Sequence, residues 1–140
     1  MKLSARNQLP GTVTKVTEGA VNGIVTLEVN GTPVTSTISM SAIRELGLVP
    51  GKKAYAVVKA TEVMIGLGKH LTLSARNQFP GEVLRVERGA VNSIVRVRAL
   101  GGLTVSATIS NNAVDELGLE AGKAALAVIK ATSVMIGVDD

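Results

Sequence analysis

Ile24-Val25-Thr26-Leu27-Glu28-Val29-Asn30-Gly31 decides the reading of the fold. Val25, Leu27 and Val29 recur at every second position, with polar Thr26 and Glu28 between them, which is the period of a half-buried strand. Asn-Gly directly after such a run is the favoured pair for a two-residue hairpin turn. Val34–Ile38 then reads as the returning strand. The same stretch comes back as Ile94-Val95-Arg96-Val97-Arg98-Ala99, with Leu100-Gly101-Gly102 where the first copy has Asn30-Gly31.

The recurrence extends in both directions. Leu3–Val29 aligns with Leu73–Ala99, and Thr35–Leu67 with Ser106–Val138. Roughly 36 of 60 positions are identical, a level that means internal duplication. The register slips by one residue at the hairpin turn, where loop length changes at little cost. This places the units of duplication at residues 1–69 and 70–140.

Within each copy the order is the same. Thr12–Val16 alternates, Gly19-Ala20-Val21-Asn22 turns the chain, and the hairpin follows. Ala42, Ile43 and Leu46 then have helical spacing, with serine before them and Gly47 after, so one or two helical turns are expected. In the second copy Asn112 replaces Ser41 and reads as another good helix cap. Ala54–Val58 and Val63-Met64-Ile65 complete about five strands with one short helix after the third. The expected class is all-β, two small OB-like barrels from a tandem repeat.

Composition is consistent with that class. Of 140 residues, 46% are hydrophobic and 1% aromatic, so the core must be built from Val, Ile, Leu and Ala. Cysteine is absent, which removes disulfides and thiolate metal sites. The start of the chain carries no secretory pattern, and no apolar run approaches the ~18 residues needed to span a bilayer. A soluble, cytoplasmic protein is expected. The net charge of +4 is concentrated in residues 1–69, which hold eight Lys/Arg against four Glu, whereas residues 70–140 hold seven of each sign.

The residues unchanged between the copies are mostly hydrogen-bond donors. Ser4-Ala5-Arg6-Asn7-Gln8 returns as Ser74-Ala75-Arg76-Asn77-Gln78, with no carboxylate among them. Such a set meets an anion, or else ties down the start of a strand. Lys59-Ala60-Thr61 returns as Lys130-Ala131-Thr132, flanked by apolar residues, either as an anion ligand or as a snorkelling lysine. Other charges drift: Arg44 becomes Asp115, Glu18 becomes Arg88, and Lys53 becomes Ala124. The retained cations are Arg6/Arg76, Lys52/Lys123 and Lys59/Lys130. Thr37-Ile38-Ser39, repeated as Thr108-Ile109-Ser110, opens the short helix, where serine serves as a cap or the free amides meet an anion. Gly19-Ala20-Val21-Asn22, repeated as Gly89-Ala90-Val91-Asn92, is a plain turn or a nest of successive N–H groups.

Catalysis is not expected. The single histidine, His70, lies in the connector, and no Ser/His/Asp, Cys/His or metal-ligating set can be assembled. The one retained carboxylate, Glu45/Glu116, reads as a solvated helix residue. No cofactor is called for. Small basic OB-like barrels also bind single-stranded nucleic acid, but those sites stack bases on aromatics. Here Tyr55 becomes Leu126 and Phe79 stands opposite Leu9, so the platform is missing.

Ser-Ala-Arg-Asn-Gln, Gly-Ala-Val-Asn, Glu-Leu-Gly-Leu and Lys-Ala-Thr-x-Val-Met-Ile, in that order and twice, resemble the Mop family of molybdate-binding modules, related to TOBE domains. The chain is similar to a tandem, di-Mop molbindin along almost its whole length. The resemblance implies storage or buffering of molybdate and tungstate in the cytoplasm, or an accessory sensor role beside a molybdate transport system. It implies trimers of tandem chains with anions between modules; the missing aromatics and the lack of a long apolar run leave neither nucleic acid nor membrane as an expected partner. Carried over by motif, the ligands would be Ser4, Arg6, Ser39, Lys59 and the Ala60 backbone, and Ser74, Arg76, Ser110, Lys130 and the Ala131 backbone. The family has a second class of site on the oligomer axis, for which the turns Gly19, Ala20, Val21, Asn22 and Gly89, Ala90, Val91, Asn92 are the candidates.

Overall fold

The computed structural model describes residues 1–139, the Leu100 side chain excepted. Ten strands and two short helices follow one another: β1 (Asn7–Thr17), β2 (Asn22–Val29), β3 (Thr32–Ser39), α1 (Met40–Glu45), β4 (Lys53–Val58), β5 (Met64–Gly66), β6 (Asn77–Arg88), β7 (Asn92–Ala99), β8 (Thr104–Ser110), α2 (Asn111–Leu117), β9 (Ala124–Ile129) and β10 (Met135–Gly137). Single 3-10 turns stand at Ala60–Glu62 and Ala131–Ser133, just before β5 and β10. The expected architecture is found: two five-stranded antiparallel sheets, each with one short helix.

The sheets are not each built from one contiguous copy. Their strand orders are β10-β4-β1-β2-β3 and β5-β9-β6-β7-β8. Each copy's last strand pairs in the other copy's sheet: Met64–Gly66 against Leu126–Val128, and Met135–Gly137 against Tyr55–Val57. The chain accordingly divides into one compact unit of Met1–Val58 with the segment from Ala131 on, and another of Lys59–Lys130. Residues 59–69 thus fold with the second copy, and the C-terminal segment with the first. The exchanged segment is well anchored. Val134 is 1% exposed, and its carbonyl accepts a bond from the hydroxyl of buried Ser36 in β3.

Inside each unit the alternation seen in sequence becomes the core. Val25, Leu27 and Val29 of β2 are buried, and Val95, Val97 and Ala99 of β7 match them. A bulge keeps β1 in phase with them. Val13 pairs with Leu27 but Val16 with Val25, so Thr14 is the extra residue that lets both valines face inward. β6 repeats the device between Val83 and Arg85. The following turn takes up the bulge's backbone groups: Val13 N–H donates to Lys52 O at 2.8 Å, and Gly51 N–H to Val13 O at 2.8 Å. The first hairpin turn is Asn30 (φ 50°) and Gly31 (φ 79°), both left-handed as a type I′ turn requires.

Each helix is capped by the serine ahead of it, not by the residue two places on. Ser39 Oγ accepts from Ala42 N–H and Ser110 Oγ from Ala113 N–H, each at 3.1 Å. Asn112, read from sequence as a cap, lies inside α2. Ser110 holds the extended backbone a cap requires, so Asn112 is already committed to helix.

Tyr55, the only tyrosine, donates its hydroxyl to Asp139 Oδ2 at 2.8 Å and fastens the C-terminal segment to β4. That bond and the nearby carboxylate charge raise the phenol's pKa above the ordinary 10.0. A folded-state pKa above the unfolded one means the contact's stability is fully present below pH ~10 and is lost as pH rises through the folded value. Ultraviolet titration, which here reports one phenol alone, is expected to show ionisation above that of free tyrosine. Asp139→Ala should return it towards the free value; an unshifted wild-type titration would mean the bond does not form.

Candidate functional site

The repeated pentapeptide splits into two jobs. Asn7 and Asn77 are buried at the first position of β1 and β6, 3% and 2% exposed, and both are engaged. Gln8 Nε2 donates to Leu3 O at 2.9 Å and Ala5 O at 3.0 Å, closing the loop on itself. Gln78 does the same and more, exchanging bonds with both backbone groups of Leu71 and donating to Ala75 O. The amides read in sequence as anion donors are therefore spent on the strand's start. Ser4, Arg6, Ser74 and Arg76 stay exposed.

Lys59 ends the run of β4 at a buried Val58 and precedes buried Ala60, yet its own side chain is exposed; Lys130 sits likewise between Ile129 and Ala131. The apolar frame seen in sequence is thus the backbone's neighbours, not a pocket around the ammonium. Lys59 O accepts from Glu62 N–H at 2.9 Å, closing the 3-10 turn, and the first amide of such a turn has no partner within it. The Ala60 backbone holds that first position. Ser39 and Ser110 are exposed caps. A hydroxyl that accepts the capping bond keeps its proton free to donate, so capping and anion binding are compatible.

Strand exchange regroups these residues. Ser4, Arg6, Ser39 and Ala131 belong to the first unit, and Ser74, Arg76, Ser110 and Ala60 to the second, whose first and last residues are Lys59 and Lys130. The turn holding Ala60 packs on β8, the strand that ends in Ser110. The turn holding Ala131 packs on β3, which ends in Ser39. Each backbone ligand candidate therefore lies in the same unit as the serine of the other copy.

The third retained cation, in the second copy, lies by the end of a helix. Lys123 Nζ lies 4.0 Å from where a Cβ on Gly118 would stand, at the C-terminal end of α2, where the helix dipole favours a positive charge. The Gly19–Asn22 and Gly89–Asn92 turns contain no left-handed residue, so they are not nests of the alternating-handed kind. Both are pinned to the helix start: Met40 N–H donates to Val21 O at 2.8 Å and Asn111 N–H to Val91 O at 2.9 Å. Their tips leave Val21 and Val91 more than 70% exposed.

The electrostatics favour an anion. Among the described residues the side-chain ion pairs are Arg85–Glu87 and Arg88–Asp115, neither of which involves Arg6, Arg76, Lys59 or Lys130. Among the described residues those four cations have no carboxylate partner, and no cluster of three or more His, Cys, Asp or Glu able to hold a cation occurs there. No helix among these residues is long and apolar enough to cross a membrane.

The fold is thus two five-stranded sheets with exchanged last strands, each copy carrying exposed serine and arginine side chains at its head. The TOBE domain pattern matches the chain twice, at residues 3–65 and 73–136, and the chain belongs to that family. It is 41% identical over 140 residues to the molybdenum transport protein ModE of Herbaspirillum seropedicae, covering 99% of this chain and 52% of that protein. It is 54% identical over 69 residues to the probable molybdenum-pterin-binding protein of Haemophilus influenzae, covering 49% of this chain and 100% of that one. The solved structure of the cytoplasmic molybdate-binding protein ModG, with molybdate bound, is similar throughout, with a TM-score of 0.95 at 41% identity, covering 99% of this chain and 100% of ModG. The chain spans about half the length of the ModE relative it matches.

Proposed function

We propose that this chain binds molybdate, and tungstate, in the cytoplasm and stores or buffers it without transforming it. The observation that carries the reading is the donor-only set: Ser4, Arg6, Ser39 and Lys59, repeated as Ser74, Arg76, Ser110 and Lys130, with no carboxylate among the eight. Molybdate is a tetrahedral dianion without a proton near neutral pH, so each of its oxygens accepts. Hydrogen phosphate brings a proton that needs an acceptor, which this set lacks; the missing carboxylate is a selectivity device. The Ala60 and Ala131 backbones add amides. Nothing in the set is placed as a general base, so binding without chemistry is the fitting role.

All the side-chain donors lie exposed on the single chain. A dianion held there needs a covering surface to shed water, and a second copy of the chain, in a trimer, supplies it. The turns at Gly19–Asn22 and Gly89–Asn92 hold anion only where symmetry brings several copies together.

Calorimetry of the purified protein is expected to show molybdate and tungstate binding well above sulfate and phosphate. Five heavy atoms at ~1.5 kcal/mol each set a dissociation constant of about a few micromolar. Light scattering at the same concentration should give an oligomer, and metal analysis more than two anions per chain. Equal binding of phosphate, or no heat with either metal oxyanion, rules the function out.

A further inference from the structure

The two units differ at one hydrogen-bonded pair beside the Gly-Ala-Val-Asn turn, and we propose that Ser93 and Asn111 are positioning residues that make the second unit's oxyanion groups the pre-ordered, tighter-binding set. The inference rests on the molybdate reading and concerns which of its sites fills first.

In the first unit the space between β2 and α1 is apolar. A Cβ on Gly23 would fall 2.5 Å from Ile43 Cδ1 and 2.9 Å from Met40 Sδ, so glycine there makes room for the methionine. Met40 is 4% exposed. In the second unit Gly23 is matched by Ser93, Met40 by Asn111, and Ile43 by the shorter Val114. The three changes belong together. Ser93, 1% exposed, donates its hydroxyl to Asn111 Oδ1, and Asn111 Nδ2 donates to Gly89 O at 3.0 Å. Gly89 N–H in turn donates to Asn92 O at 2.8 Å.

A chain of hydrogen bonds thus runs from β7 through the first residue of α2 to the turn, in this unit alone. Both units share the backbone bond from the first helical amide to the turn, so the side chains are what differ. Met40 is a flexible filler that fixes no partner's direction; Asn111 holds the Gly89 carbonyl by a directed bond. Ser110, a ligand candidate, is bonded to its neighbour Asn111 through one peptide, and it pairs with Asn92 across β7 and β8. The Ser110 hydroxyl, offered to an anion here, and the Gly89–Asn92 turn beside it are therefore held before the anion arrives. Donors fixed in advance lose less freedom on binding. One net hydrogen bond spent on that ordering corresponds to about three- to tenfold in affinity.

The test is calorimetric titration of the intact protein with molybdate, beside amide hydrogen exchange of the ligand-free protein. Two classes of site separated by about three- to tenfold are expected, with the Gly89–Asn92 amides exchanging more slowly than those of Gly19–Asn22. Ser93→Gly combined with Asn111→Met copies the first unit's solution, and it should merge the classes at the weaker value and equalise exchange. Asn111→Ala serves as a second variant and should act in the same direction. A purely structural role would lower the melting temperature and leave the ratio between classes unchanged. One class in the unaltered protein, or two classes that persist in both variants, overturns the inference while leaving the molybdate reading intact. No heat from the unaltered protein overturns the reading itself, and this inference with it.

Discussion

Truncation after Lys130 is expected to unfold the first unit and spare the second. The deleted segment holds β10, the partner of β4, together with Ala131 and Val134, which are 8% and 1% exposed. Burial of one valine contributes about 1.5–3 kcal/mol. The lost ladder also leaves β4 as an edge strand, and Ser36 loses the carbonyl it donates to, a buried donor whose orphaning costs about 1–3 kcal/mol. Domains hold only about 0.05–0.15 kcal/mol per residue, so that sum, with the lost ladder added, is comparable with all the stability a unit of this size holds. The second unit keeps all five of its strands, because β5 lies before the cut. Limited proteolysis should digest residues 1–58 of the truncated chain and leave 59–130 protected. Protection of both segments would mean that the exchange of last strands does not occur in solution.

Lys59→Met and Lys130→Met are the substitutions expected to weaken binding most, by about 2–5 kcal/mol at the sites concerned, which is roughly thirtyfold or more. Neither lysine side chain makes a contact that the fold uses: each is exposed between two buried neighbours, and methionine keeps the apolar stem. The melting temperature should stay near that of the unaltered protein. The size of the loss also reports the site's surroundings. A lysine meeting an anion in open water contributes about 1 kcal/mol or less, so the larger figure requires that another copy covers the ammonium. Normal binding by either variant would return the lysines to the role of solvated surface residues. A loss of about 1 kcal/mol or less would place the site on the open surface of one chain.

What the sequence determined by itself is whatever rests on near neighbours along the chain. Val25, Leu27 and Val29 at a period of two, Asn30-Gly31 behind them, and the slip at Leu100–Gly102 identify strands, a hairpin and the place where the copies diverge, because backbone geometry turns spacing directly into facing. The short helix was legible for the same reason, and so was the donor-only character of the retained polar residues, which is a matter of chemistry and not of position. Tertiary structure decided the rest. Met64-Ile65-Gly66 and Met135-Ile136-Gly137 carry the same three residues, so nothing in the letters says which sheet each one joins; the path of the chain out of β4 and β9 settles that each joins the other copy's. Asn7 and Gln8 look as much like anion donors as Ser4 and Arg6 do, until the start of β1 consumes the first two and leaves the others exposed. Ser110 and Asn112 are equally good caps by type, and only the backbone angles at Ser110 choose between them. In each case the sequence offers chemically equivalent candidates, and equivalence along the chain is broken only by which groups the fold brings within bonding distance.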